Sequence, residues 1–441
     1  MTTIRTFLVV ASSQAWLFHQ LDINNAFLHG DLVEEVYMVL PPGFQGEKQG
    51  QVCKLLRSLY GLKQASRQWN AKLSADLISN GFQQSKFDPS LFTRGHAASF
   101  IAVLVYVDGI LVTSPSSHLI QELKTFLDNT FKINDLGSLG YFLGIEAHMT
   151  IDSLNLCQRK YALDIIEEAG FLHSKPVDTP MVPGTRLTKE GGSLLKDPSG
   201  YRRLIGRLLY LTATRPDISY ATQQLSQYVD SPTSDHLTAA HRVLRYIKKA
   251  PGQGLLYPRN NKMELNVFLD SDWASCPETR KSIMGFCIFI GSALVSWRSK
   301  KQATVSRSSS EAEYRPLAAT VCEVQWVHSL LHDLQIKPNK PAAVFCDSKS
   351  AIAIAENHVF HECTKHRDID CHIVRERLSQ GFIKLLSVSS STQIADGLTK
   401  ALPSPAFHIF KSKLAIEDLH APVYGGGGGV LDSKNHAAIH S

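Results

Sequence analysis

Two apolar runs in this sequence meet at a single polar dipeptide. Phe100 to Val107 leads into Asp108-Gly109, and Ile110 to Val112 follows at once. Nothing else in the chain leaves the backbone so few options. Short hydrophobic stretches joined by Asp-Gly predict a tight β-hairpin, because both residues tolerate the positive φ that such a turn demands. The Asp108 carboxylate then stands at a strand end. The same pattern recurs. Trp16 to Leu21 reads as a strand that stops at Asp22. Leu265, Val267 and Leu269 alternate toward Asp270, and the buried run Ala342 to Cys346 ends on Asp347.

Helical spacing fills the intervals. Leu59, Trp69, Leu73 and Leu77 recur on one face and stop at Asn80-Gly81, and Leu119, Ile120, Leu123, Phe126 and Leu127 share another. Residues 147 to about 255 read as mostly helical, with Pro176, Pro180 and Pro183 marking a linker. From 265 the order is three strands, helix, strand, helix, strand, helix, which predicts helices packed on a mixed sheet. The long helix runs from about Ser309 to Leu334, and Asp396 falls on the last one. After 401 the chain carries five consecutive glycines, 425 to 429, and is expected to be disordered.

The composition suits globular domains of this kind, with 44% hydrophobic and 20% charged residues. A net charge of +6 permits a polyanionic partner without demanding one. The eight cysteines are scattered, which fits reduced thiols. Phe7 to Ala11 is too short for a signal-peptide core, and no run reaches membrane-spanning length. The chain is therefore expected to be intracellular, cytoplasmic or nuclear, with no membrane partner.

Carboxylates gathered at strand ends suit two-metal phosphoryl transfer, in which two divalent ions stabilise the attacking and leaving oxygens. Mg²⁺ prefers oxygen ligands and shares them with phosphates. In the first half the candidates are Asp22 and Asp108. In the second they are Asp270 and Asp347, with Glu313 and Asp396 on helices over the same sheet. Each has a plainer alternative: Asp22 as a helix cap, Asp108 as a turn former, Asp347 as an N-cap. One helix, from about His236 to Lys249, carries Arg242, Arg245, Lys248 and Lys249 on its outer face. Such a face suits nucleic-acid phosphates, and a merely solvated face is the alternative.

Whole blocks of the sequence resemble the Ty1/copia-type retrotransposon Pol polyprotein. Leu21 to Gly30, Leu59 to Ala65 with Arg67 and Trp69, and Tyr106-Val107-Asp108-Gly109 resemble its reverse-transcriptase motifs. Asp135-Leu136-Gly137, Tyr141 to Ile145 and Thr214 to Ile218 match the blocks that follow. Asp270 to Ala274, Ser308 to Tyr314, Cys346-Asp347-Ser348, Thr364-Lys365-His366 and Gln393 to Lys400 resemble its ribonuclease H blocks. The likeness runs from 4 to about 415.

The resemblance implies an α/β (α+β) chain with a reverse-transcriptase palm over 1–146, its fingers truncated. A helical thumb and connection would follow over 147–255, an RNase H-like mixed-sheet domain over 262–400, and a tail over 401–441. Asp22 and Asp108 would hold the polymerase metals, and Phe27 would gate against a ribose 2′-hydroxyl, with a plain core aromatic as its alternative. Lys63 and Arg67 would touch nucleic acid. Asp270, Glu313, Asp347 and Asp396 would hold the nuclease metals, with Asp272 as runner-up to Asp270. The implied cofactor is Mg²⁺, two ions per site, with Mn²⁺ as a substitute. The implied partners are an RNA or DNA template, a primer, dNTPs and an RNA–DNA hybrid. The family's fingers, protease and integrase segments would lie outside this chain.

Two residues depart from the family pattern. Gly109 stands where the family has a second Asp, so one metal-site carboxylate is lost and polymerisation is expected to be crippled. Each tenfold in rate corresponds to about 1.4 kcal/mol of barrier. Pro316 stands where the family has Ala, within a turn of Glu313. An interior proline costs about 3 kcal/mol and removes a backbone hydrogen bond. Either the helix kinks and draws Glu313 away, or it begins later with Pro316 in its first turn. The rival reading is a catalytically inactive, decayed retroelement remnant that at most binds nucleic acid. A zinc reading of His358, His361, Cys363, His366, Cys371 and His372 lacks a clean second ligand pair.

Overall fold

The computed structural model describes residues 1–44, 50–357 and 365–419, with backbone alone at 365–369. The hairpin forms from strands Ile101–Tyr106 and Gly109–Ser114, and its closing pair is Tyr106 opposite Gly109. The two loop residues are thus Val107 and Asp108, one position earlier than Asp-Gly chemistry predicts. Val107 takes the positive φ, at 57°. The hairpin sits at the centre of a six-stranded sheet. Its order is Gln83–Gln84, Leu91–Arg94, Ile101–Tyr106, Gly109–Ser114, Leu17–Ile23, Ile133–Asp135.

The continuous apolar run around 100–107 has a simple cause: both faces of these strands are buried. Ile101, Val103, Val105, Ile110 and Val112 pack with Trp69, Leu73 and Leu77 of helix Ala65–Ser79 and with Ile120, Leu123 and Leu127 of helix Ser117–Phe131. The alternate residues Ala102, Leu104 and Leu111 join a second, larger core. Helix Thr2–Ser13, of which the sequence showed only the short apolar stretch 7–11, lies in that core with Phe7 and Leu8 buried. It ties the palm to the second half of the chain. The buried Arg5 guanidinium sits 3.7 Å from the Trp297 ring centroid and donates to the Val295 carbonyl at 2.8 Å.

The middle segment contains the expected helices, Arg159–Glu168, Ser199–Leu211, Ser219–Ser226 and Ser234–Lys249. It opens, however, on the antiparallel strands Ile145–Met149 and Ser153–Cys157 and closes on Gln253–Pro258. The outer strand of that sheet is Ile416–Asp418, from the segment assigned to a disordered tail. This corrects the expectation for the start of the tail. Helix Ser404–Lys413 buries Phe407 and Phe410, so residues 404–418 carry enough apolar surface to fold back. The five glycines lie outside the described residues. Beneath the helices, Arg215 and Asp217 form a fully buried pair at 2.8 Å, and the Tyr246 hydroxyl donates to Asp217 at 2.6 Å.

The second half is a five-stranded mixed sheet in the order Ala293–Lys301, Ile283–Ile290, Leu265–Asp272, Ala342–Cys346, Ile383–Ser387. The first three strands are antiparallel, and the last two run parallel to Leu265–Asp272. Helix Ser309–Asp333 packs across the sheet, with Leu317, Val321, Val324 and Val327 buried. Asp396 falls on a single 3₁₀ turn, Ile394–Leu398, rather than on a helix. Among the described residues no helix is long and apolar enough to cross a membrane.

Candidate active sites

Parallel pairing builds the site in the second half. Phe268 stands level with Phe345, so two residues further on Asp270 and Asp347 leave neighbouring strands side by side. The turn carrying Asp396 is held against them by Gln393, whose Nε2 donates to the Leu269 carbonyl at 2.9 Å. One oxygen each of Asp270, Asp347 and Asp396 lies within 4.8 Å of the others. Glu313, from the helix across the sheet, places an oxygen within the same distance of Asp347. The four acids come from elements spread over more than a hundred residues. Asp272 is half-buried two residues beyond Asp270, and burial and then Asp270 raise its pKa, but it is not among the acids whose oxygens converge.

Crowding shows in the proton affinities. Burial, and then the Asp270 and Asp347 charges, push the Glu313 carboxyl up to about 9. Burial, and then Asp270, raise Asp396 to about 7 despite Lys400, which reaches Asp396 at 3.1 Å. The Thr399 hydroxyl donates to Asp270, and the Ser390 hydroxyl donates to Asp347 at 3.0 Å. Glu313 Oε2, Asp347 Oδ1 and Asp396 Oδ1 are buried and take no hydrogen bond. Buried carboxylate oxygens without donors, facing one another, are what an oxygen-seeking divalent cation would satisfy. The residues present therefore fit such an ion. Ser390, Thr399 and Lys400 were not among the sequence candidates. Only Lys400 carried a signal, four residues after Asp396 and able to pair with it.

Pro316 neither kinks the site apart nor starts the helix. The helix is capped by Ser308, whose Oγ accepts from the Glu311 N–H at 3.2 Å, and it runs unbroken past Pro316 with Glu313 beside Asp347. Both expectations for Pro316 are corrected. The carbonyl that Pro316 deprives of its helical partner is Ala312 O, and Gln302 Nε2 donates to it at 2.8 Å.

In the palm, Asp22 lies directly opposite Gly109, and the Ile23 N–H donates to the Asp108 carbonyl at 3.0 Å. Burial and then the Asp108 charge raise the Asp22 pKa. The loop is pinned by Trp69, whose Nε1 donates to the Val107 carbonyl at 2.6 Å. A β-branched residue at positive φ costs of order 1–3 kcal/mol and persists only where its surroundings impose it. A Cβ at Gly109 would come no closer than 3.4 Å to Phe142, an ordinary contact distance. Phe27 is half-buried with its ring 4.4 Å from Tyr60. Lys63 and Arg67 are exposed at the start of helix Ala65–Ser79.

The basic helix face is engaged by the protein itself. Arg242 donates to Thr179 Oγ1 at 2.9 Å and Arg245 to the Lys175 carbonyl at 2.7 Å, while Lys248 meets the Ser174 carbonyl and Lys249 pairs with Asp178. The linker's carbonyls, Thr179 and Asp178 lie along the helix and take one donor atom from each of these side chains. Of the zinc candidates, His358, His361 and Cys363 lie outside the described residues, as does the His366 side chain, and Cys371 is buried in helix Lys365–Ser379.

One sheet thus carries two acids at its hairpin and the neighbouring strand, and it is joined to a mixed sheet on which four more acids gather. The family model described as Reverse transcriptase (RNA-dependent DNA polymerase) matches residues 1–183. Over 416 residues the chain is 42% identical to the Retrovirus-related Pol polyprotein from transposon RE1 of Arabidopsis thaliana, covering 94% of this chain and 28% of that protein. It is 36% identical to the corresponding polyprotein from transposon TNT 1-94 of Nicotiana tabacum, covering 94% and 32%. The putative transposon Ty5-1 protein of Saccharomyces cerevisiae is 32% identical and matched over its whole length, across 69% of this chain. The chain belongs to the Ty1/copia-type retrotransposon Pol family, and it spans less than a third of the RE1 and TNT 1-94 polyproteins.

Proposed function

We propose that the second half is a divalent-metal-dependent ribonuclease H that hydrolyses the RNA strand of RNA–DNA hybrids. The first half is then a polymerase palm in which Gly109 suppresses DNA synthesis. The observation that carries the nuclease reading is the convergence of Asp270, Glu313, Asp347 and Asp396, with buried oxygens that lack donors. These four would hold Mg²⁺, two ions in the usual arrangement, with Mn²⁺ as a substitute. A divalent cation there supplies Lewis-acid polarisation of a phosphodiester and acidification of water. The chain's own groups do the rest. Thr399 and Ser390 fix the orientation of Asp270 and Asp347, and Lys400 keeps negative charge on Asp396. In the palm, Asp22 and Asp108 would receive the cations that accompany a dNTP, Phe27 would face its ribose, and Lys63 and Arg67 would contact template or primer.

The test is cleavage of a hybrid carrying a labelled RNA strand, in Mg²⁺ and in Mn²⁺, by the wild-type chain and by Asp347→Asn. Cleavage of RNA that the variant loses supports the proposal. Salt-sensitive hybrid binding without turnover in either metal would overturn it and favour a silent, nucleic-acid-binding remnant.

A further inference from the structure

Gln302 lies at the start of the loop before the Glu313 helix, is 5% exposed, and has every polar atom engaged. Its Nε2 donates to the Ala312 carbonyl at 2.8 Å and to the Ser271 hydroxyl at 3.3 Å, and its Oε1 accepts from Ser306 at 3.0 Å. These partners flank the metal-binding acids. Ser271 follows Asp270 in its strand, and Ala312 precedes Glu313 in its helix. The Ser271 backbone also lowers the Glu313 pKa against the larger effect of burial. The helix crosses Gln302 at the one point where it has lost an internal hydrogen bond, because Pro316 has no N–H to offer Ala312 O. A buried carbonyl left without a donor is costly, and a helix opened there tends to kink.

We infer that Gln302 is a positioning residue of the nuclease site: it replaces the hydrogen bond that Pro316 removes and locks the Glu313 helix to the Asp270 strand. The inference rests on the nuclease reading for its consequence but not for its geometry. Its signature is dependence on Pro316. In a Pro316→Ala chain the restored backbone N–H can return to Ala312 O, and Gln302 loses half of its task.

The experiment is a double-mutant cycle of Gln302→Ala and Pro316→Ala, read by hybrid cleavage and by thermal unfolding. In the Pro316 chain, Gln302→Ala is expected to lower kcat roughly tenfold with KM for the hybrid nearly unchanged, the scale of one buried hydrogen bond lost. The Mg²⁺ concentration for half-maximal cleavage should rise severalfold, which a merely structural role would not require. In the Pro316→Ala chain the same substitution should cost less than about threefold in kcat, as expected when coupled neighbours are separated. Equal losses in both backgrounds, or none in either, would overturn the inference. If the wild-type chain cleaves no hybrid, the nuclease reading fails and the unfolding cycle alone decides. A larger fall in Tm from Gln302→Ala in the Pro316 chain than in the Pro316→Ala chain sustains the hydrogen-bond replacement, and equal falls refute it. Should Gln302→Ala not fold in either chain, Gln302→Met keeps the volume, removes the donor and is read in the same way.

Discussion

The two acid clusters of this chain are built by opposite means. The first cluster is compact: one hairpin and its neighbouring strand bring Asp22 and Asp108 together, with Gly109 directly opposite Asp22. The second cluster is assembled from two strands, a helix and a turn, and three of its acids have their own support: Thr399 for Asp270, Ser390 for Asp347 and Lys400 for Asp396. A defect in that frame can be compensated from another element, as Gln302 does for Pro316. The difference teaches that an intact motif is a weaker guide to a working site than the number of independent elements that hold it.

The largest expected effect falls on one site only. Asp347→Asn should reduce hybrid cleavage by at least about a thousandfold, since it removes a charge from the proposed metal centre, while primer extension by the first half stays as it was. A parallel loss of both activities would show that the clusters are not separate. Next, Gly109→Asp should raise primer extension by roughly ten- to a hundredfold, because its Cβ meets no clash and position 109 lies opposite Asp22. Hybrid cleavage should not change. An unaltered extension rate would place the palm's deficit elsewhere.

The pH response should also separate the two regions. Glu313 and Asp396 are held at about 9 and about 7, against ordinary values of 4.5 and 3.8. The folded chain therefore keeps protons that the unfolded chain releases. That contribution is full below the unfolded values and is lost as pH rises through the folded ones. Without divalent cations, Tm is expected to fall by about a few degrees between pH 5 and pH 9. Added Mg²⁺ should reverse the fall, because it binds the ionised acids of the folded state. Asp270→Asn, which removes the charge that raises both groups, should flatten both responses, and a Tm indifferent to Mg²⁺ at pH 9 would contradict the crowding. The smallest effect is expected from Arg245→Ala. Hybrid affinity should change by less than about twofold, with the same salt slope, because Arg245 Nε is held by the Lys175 carbonyl. A clear drop in slope would return that helix face to nucleic acid.

The strands that carry or lead into Asp22, Asp108, Asp270 and Asp347 were readable because apolar runs reaching an acid are local patterns, although two of them run one or two residues beyond it, to Ile23 and Asp272. So was the mixed sheet, from its alternation of element types. What escaped was decided by distant partners. Asp-Gly at 108–109 suggested the turn residues, yet strand pairing and Trp69 shift the loop to Val107-Asp108. The contacts of Arg242 to Lys249 with the linker at 174–179 were not readable, because that linker lies some seventy residues earlier. Residues 404–418 were grouped with the glycine run behind them, although Phe407 and Phe410 are buried and Ile416–Asp418 completes a sheet. Pro316 looked damaging because its remedy, Gln302, is a side chain in another element.

The most direct measurement is diffraction from crystals of the chain soaked in Mn²⁺, with the ion located by its anomalous signal. Ions bound among Asp270, Glu313, Asp347 and Asp396, and absent from crystals of Asp347→Asn, are expected. Mn²⁺ missing from these carboxylates at saturating concentration, or the four side chains directed away from one another, would contradict a shared metal centre.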